Sequence, residues 1–134
     1  MTICIKNARA VVTCDDEDRV LRGADILLDG GRIAAIGRWE GGADETIDGR
    51  GLAVFPGLVN THHHLYQYFT RNLTRVQGFE LFDWLTALYE IWKNLNEDTV
   101  RLSSLCGMAE LMKYGCTTCF DHHYVFPKGA GGRL

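Results

Sequence analysis

The clearest chemical potential in the chain lies in one short block, Asn60-Thr61-His62-His63-His64. Imidazole is the commonest protein ligand for a metal ion. If the block ends a β-strand, alternate side chains share a face. His62 and His64 then point one way and His63 the other. Two imidazoles so spaced can grip one divalent ion, at roughly 2.0–2.1 Å for each Zn–N bond. The competing reading is a polar loop, or one packed histidine with two exposed neighbours. Imidazole suits zinc and iron alike, so the expected cofactor is one divalent metal, zinc first and iron as the alternative. A catalytic zinc takes three protein ligands and keeps one position open. His62 and His64 therefore need partners from elsewhere.

An element must aim these side chains. Val54-Phe55 is followed by Pro56-Gly57 and then by the apolar Leu58-Val59. Leu58 to His64 reads as a buried strand that delivers the histidines at its C-terminal tip. Leu65 to Gln77 is a partly helical connection. From Phe79 to Leu95, the residues Leu81, Trp84, Leu85, Leu88, Ile91, Trp92 and Leu95 recur at spacings of three and four, which makes an amphipathic helix. Asn96 is the N-cap of a second helix, with Glu97 and Asp98 in the first turn, where the dipole favours acids. Val100, Leu105, Met108, Ala109, Leu111 and Met112 form its expected apolar side. Gly115 is the expected C′ residue. Cys116 to Asp121 reads as a second buried strand, and it too runs into histidines, His122 and His123. Strand, helices and strand in that order predict a parallel crossover.

Residues 1–55 carry no catalytic signature and read as all-β. Ile3 and Ile5, then Ala8, Ala10 and Val12, alternate with other residues. Asp15-Asp16-Glu17-Asp18 is a solvated acidic turn. Asp29-Gly30-Gly31 joins two apolar runs, Ala24 to Leu28 and Arg32 to Ile36, in the pattern of a tight hairpin whose turn needs positive φ. A turn at Gly41–Asp44 and short strands at Thr46–Asp48 and Leu52–Phe55 follow.

The run of strand, Pro56-Gly57, strand and His62-x-His64 resembles the amidohydrolase superfamily. There the first barrel strand follows a Pro-Gly and ends in His-x-His. Asn60 through Gln67 is similar to the branch of deaminases and chlorohydrolases. The resemblance implies an α/β fold: residues 56–134 as the first two βα units of a metal-dependent (β/α)8 (TIM-like) barrel, and residues 1–55 as the N-terminal part of a flanking β-sandwich with unpaired edges. It implies His62 and His64 as metal ligands. The remaining ligands and the proton shuttles would come from later strands, so no catalytic acid or base is expected in this chain. It implies hydrolytic deamination of a purine-like heterocycle, with a triazine amino- or chlorohydrolase as the alternative. A barrel takes about 250 residues, so the chain is expected to be the N-terminal part of a longer enzyme, and Pro127–Leu134 reads as a loop without a closing element.

Three further residues are substrate-binding candidates on the same resemblance. Gln67 could meet a ring amide edge, since a carboxamide supplies a donor and an acceptor together; the alternative is a loop cap. Trp84 could stack on a planar ring, although its spacing serves the helix core equally well. His123, rather than His122, is the imidazole expected to face the substrate. Cys116 and Cys119 form C-x-x-C, but within a strand a spacing of three puts them on opposite faces, as two small hydrophobes. Arg71 and Arg75 read as surface residues or loop anchors.

Composition excludes other classes. The formal charge of −3 gives no basic patch for a nucleic acid. No apolar run approaches the ~20 residues of a membrane span, and Met1–Lys6 is no signal peptide. Five cysteines, an odd number, read as reduced thiols of a cytoplasmic protein. The expected partner is a small heterocyclic substrate, and the full-length enzyme is expected to be a homo-oligomer. The rival from another class is a stand-alone, non-catalytic metal-binding module, against which the unpaired β edges argue.

Overall fold

The computed structural model describes residues 1–127, and the rest of the expected C-terminal loop, 128–134, lies outside the described residues. The chain divides into two compact units, Met1–Pro56 and Gly57–Leu134.

The first unit is all-β. Its strands are β1 (Thr2–Ala8), β2 (Ala10–Val12), β3 (Val20–Leu21), β4 (Ala24–Asp29), β5 (Arg32–Gly37), β6 (Glu45–Asp48) and β7 (Ala53–Val54). They form one sheet in the order β5-β4-β1-β6 and a second in the order β3-β2-β7. The hairpin expected at Asp29-Gly30-Gly31 joins β4 and β5, pairing Asp29 with Arg32. Its two glycines have φ of 54° and 79°, a region in which a Cβ is strained. The edge strands are β5 and β6 in one sheet and β3 and β7 in the other. Ala8, Val11, Ala24 and Ile26 make the core, with Ile5, Leu21, Leu28 and Val54 packed on it. The two-residue β3 was not legible in the sequence, because it has no alternation to show.

On the other face of β4 one polar group is also buried. Asp25 is 5% exposed. Its carboxylate accepts from the backbone N–H of Asn7 at 2.8 Å, from that of Trp39 at 2.9 Å and from Lys6 Nζ at 2.9 Å. Asn7 takes a left-handed φ of 54° at the irregularity where β1 breaks its register with β4. The bulge turns its N–H to the carboxylate.

The second unit begins with β8 (Leu58–His63), followed by 3₁₀ turns at Leu65–Thr70 and Thr74–Val76, α1 (Leu81–Trp92), α2 (Glu97–Lys113) and β9 (Cys116–Asp121). β8 and β9 are parallel, with Leu58 beside Cys116 and His63 beside Asp121. Asn96 caps α2 as expected: its side chain accepts from Thr99 N, and the Thr99 hydroxyl accepts from Asn96 N. Gly115 closes α2 with φ +82°. Tyr66, Val76, Leu88, Trp92 and Val100 form the core.

Three expectations need correction. The strands are not buried: Leu58 is 59% exposed and Val59 63%. β8 has only β9 beside it among the described residues, so much of its surface has no cover. The first helix is shorter than Phe79–Leu95. It starts at Leu81, and Leu81 and Phe82 are exposed while Leu88 and Trp92 are buried. Finally, α2 buries Val100, Ser103 and Gly107, while Leu105, Met108 and Met112 of its expected apolar side face outward. Close approach decides this. Ser103 Oγ donates to the Leu65 carbonyl at 2.8 Å, and a Cβ on Gly107 would stand 2.9 Å from Leu65 Cδ2. Small residues let the helix reach the 3₁₀ segment, and periodicity of large apolar residues does not register that.

Candidate metal and substrate site

At the tip of β8 the two expected ligands converge. His62 Nε2 and His64 Nε2 are 3.1 Å apart. A tetrahedral ion with Zn–N bonds of roughly 2.0–2.1 Å holds two nitrogens roughly 3.3 Å apart, so the pair fits such an ion. His64 Nδ1 lies 2.7 Å from the backbone carbonyl of His122. A carbonyl only accepts, so Nδ1 carries the proton and the Nε2 lone pair is left for a ligand. This is the outer-shell arrangement that orients metal-binding imidazoles. The Asn60 side chain accepts from His62 N at 3.0 Å, within β8. The His122 imidazole, then burial and the His64 and His63 rings, hold His62 below the ordinary histidine value. That favours the neutral form a metal ligand requires. Among the described residues no three His, Cys, Asp or Glu side chains converge as a metal-holding group.

The two histidines after β9 part company. His122, not His123, accompanies the pair, its ring stacked on His62 with centroids 4.0 Å apart. His123 lies against Tyr66 at 5.2 Å and Phe126 at 4.9 Å. His123 Nδ1 is 3.8 Å from Asp121, and its Nε2 is buried without a partner among the described residues, as is His63 Nδ1.

A cavity of about 980 Å³ runs along β8, lined in part by His62, His64, Gln67, Trp84, Arg71 and Glu110. Gln67 reaches it from the first 3₁₀ turn, with its Nε2 3.0 Å from the hydroxyls of both Tyr66 and Tyr124. Trp84 lines the cavity and also packs edge-to-face on Trp92 at 5.7 Å. Arg71 is an anchor: it bonds Glu110 at 2.7 Å and lies over the Tyr68 ring at 4.1 Å. The Tyr68 hydroxyl donates to the same Glu110 oxygen. These two donors, Tyr68 first, hold Glu110 below the usual carboxylate range. The arginine charge is thus spent on Glu110, which weakens any case for it as an anion receptor. Arg75 is exposed. All five cysteines are free thiols, Cys116 buried and Cys119 half-buried.

Sequence reasoning missed Tyr66 and Tyr124. Tyr66 is 1% exposed, and burial, with the Tyr124 hydroxyl, pushes its phenol up. Its signal was proximity alone, two residues after His64. Tyr124 packs edge-to-face on His64 at 5.1 Å, from a segment with no periodicity to mark it.

Residues 53–131 match the amidohydrolase family, and the chain belongs to that family. It is similar to the hydroxydechloroatrazine ethylaminohydrolase of Pseudomonas sp. (strain ADP), 39% identical across 90% of this chain and 28% of that protein. It is similar also to the 8-oxoguanine deaminase of Pseudomonas aeruginosa, 38% identical across 93% of this chain and 28% of that one. Among solved structures, the atrazine chlorohydrolase of Arthrobacter aurescens TC1 complexed with zinc superposes with a TM-score of 0.81 at 32% identity, covering 90% of this chain and 28% of that one. The branch read from Asn60–Gln67 is thus the branch of its relatives. The chain spans less than a third of the length of these relatives.

Proposed function

We propose that this chain is the start of a metal-dependent amidohydrolase that deaminates a purine-like heterocycle, in the manner of 8-oxoguanine deaminase. In this reading residues 56–134 open a (β/α)8 barrel and residues 1–55 open its flanking β-sandwich. His62 and His64 are two ligands of one divalent ion, zinc or iron, and the others come from later strands. The observation that carries the reading is the His62–His64 pair, with nitrogens 3.1 Å apart and the His64 lone pair freed by the His122 carbonyl. When bound, the ion supplies Lewis acidity and a water made acidic to a pKa of about 7. The residues of this chain do the rest of what falls to it. His62 and His64 hold the ion, His122 orients His64, and the wall of the cavity receives the ring. Gln67, Trp84 and His123 are the substrate-binding residues of this proposal. Trp84 offers a face to a planar ring, and His123 Nε2 has no partner among the described residues.

A triazine amino- or chlorohydrolase uses the same pair with another leaving group, and the similarity to a triazine ethylaminohydrolase supports it as the second reading. The test is to purify the complete gene product, measure its bound metal, and follow ammonia release from 8-oxoguanine beside amine or chloride release from triazines. Stoichiometric metal with ammonia from the purine supports the first reading. Release from triazines alone selects the second. Absence of bound metal in protein grown with zinc and iron overturns both.

A further inference from the structure

Gln67 does not stand alone at the cavity wall. Its Nε2 is 3.0 Å from the Tyr66 hydroxyl and 3.0 Å from the Tyr124 hydroxyl. A primary carboxamide has two N–H groups, and here each finds a phenol oxygen. Tyr66 is 1% exposed, so its oxygen has to be satisfied from within. Tyr66 is itself fixed on several sides, with ring centroids at 5.3 Å from Trp92, 5.2 Å from His123 and 5.4 Å from Tyr124. Tyr124 is held in turn against His64 at 5.1 Å. The amide nitrogen is therefore committed to the two phenol oxygens. The amide oxygen has no hydrogen-bond partner among the described residues and is not among the buried unpartnered atoms. It is the function left for the cavity that Gln67 lines.

We infer that Tyr124, with Tyr66, is a positioning residue that fixes the polarity of Gln67, so that the subsite beside the histidine pair offers a hydrogen-bond acceptor. Such a subsite takes a ring edge with an N–H donor, as in a lactam or cyclic urea, and disfavours an unprotonated ring nitrogen, whose lone pair would meet that of the amide oxygen. The statement about the ring rests on the deaminase reading; the statement about the amide does not.

The test uses the complete gene product labelled with ¹⁵N in the glutamine side chains, with the Gln67 signal identified by its loss in Gln67→Glu. The expected result is that both amide protons show cross-relaxation to the rings of Tyr66 and Tyr124 and no exchange with water. In Tyr124→Phe one of the two should move and begin to exchange. Rapid exchange of both protons in the unaltered protein, or a signal indifferent to Tyr124→Phe, overturns the inference. Should Tyr124→Phe fold poorly, the unaltered protein decides alone. With 8-oxoguanine as the probe, Tyr124→Phe should raise KM roughly two- to tenfold, the worth of one neutral hydrogen bond, with kcat much less affected. An intact amide signature in a protein that releases no ammonia retains the positioning role and removes the deaminase reading.

Discussion

The two units differ in the buried side-chain atoms they leave unmatched: among the described residues the first leaves none and the second leaves two. In the first, Asp25 sits at 5% exposure and receives three donors, the N–H groups of Asn7 and Trp39 and the Lys6 ammonium. In the second, His63 Nδ1 and His123 Nε2 are buried with no partner among the described residues. His62 and His64 bring their Nε2 atoms within 3.1 Å of each other. A buried group left unmatched carries its full desolvation penalty, so it persists only where something else favours it. Among the described residues the unmatched buried nitrogens all lie in the second unit, which also holds the candidate site.

The largest expected effect lies at the pair. In the complete gene product, His62→Ala or His64→Ala should each cost more metal affinity than the roughly 10–100-fold that outer-shell partners are worth. Turnover should fall to background, and the isolated chain 1–134, with two ligands, should show none. Metal analysis by mass spectrometry after dialysis reads this directly. Retained stoichiometric metal in both variants would break the contrast, because the open nitrogens would then be ordinary packing.

Next in size is Asp25. Its carboxyl is held to about 2, against an ordinary 3.8, by the Asn7 and Trp39 amides and then by Lys6. The folded value is depressed, so this stabilisation is complete above about 3.8 and is lost as pH falls towards about 2. Asp25→Ala should cost about 1–3 kcal/mol, because it strands two amide hydrogens. Chemical denaturation at neutral pH measures that cost. Asp25→Asn should flatten the acid limb of the stability curve. An acid limb unchanged by Asp25→Asn would show that another carboxylate governs it.

Much of this was legible in the sequence, for reasons that particular residues make plain. The Asp29-Gly30-Gly31 turn, the Asn96 cap and the Gly115 stop are local, and each needs only its own few residues to declare itself. That His62 and His64 share a side was legible because strand parity is strict. What the sequence concealed depends on neighbours far along the chain. Strand parity carried no information on whether His122 or His123 would lie beside His62, since the segment after Asp121 leaves the strand. The buried side of α2 was misjudged because Ser103 and Gly107 are chosen for nearness to Leu65, not for hydrophobicity. The exposure of Leu58 and Val59 could not be foreseen from their apolar character, which describes what a residue favours and not what covers it.

A smaller effect tests how tightly the second unit is packed away from its open nitrogens. A Cβ on Gly57 would fall 2.2 Å from Thr117 Cγ2. Thr117 is short and branched at Cβ, so it has little room to yield. Gly57→Ala should cost about 1–3 kcal/mol by overpacking, and Thr117→Ala in the same protein should recover most of it. A double-mutant cycle read by thermal melting measures the coupling. Additive losses would mean that the contact between β8 and β9 relaxes freely, and that the unit is loose as well as chemically open.

The smallest expected effect is the most discriminating. His123→Leu removes a buried nitrogen that has no partner among the described residues and only a 3.8 Å approach to Asp121. Deleting a satisfied polar group strands its partner, whereas deleting an unsatisfied one relieves a penalty already present. The unfolding free energy of the complete gene product should therefore stay within the scatter of surface substitutions, about 0.5 kcal/mol, or rise, while kcat/KM for the ring substrate falls. Asp25→Ala should show the reverse, with stability lost and turnover per folded molecule kept. A His123→Leu variant destabilised as much as Asp25→Ala would mean that His123 is paired outside the described residues and is as closed as Asp25. The two units would then differ in content but not in kind.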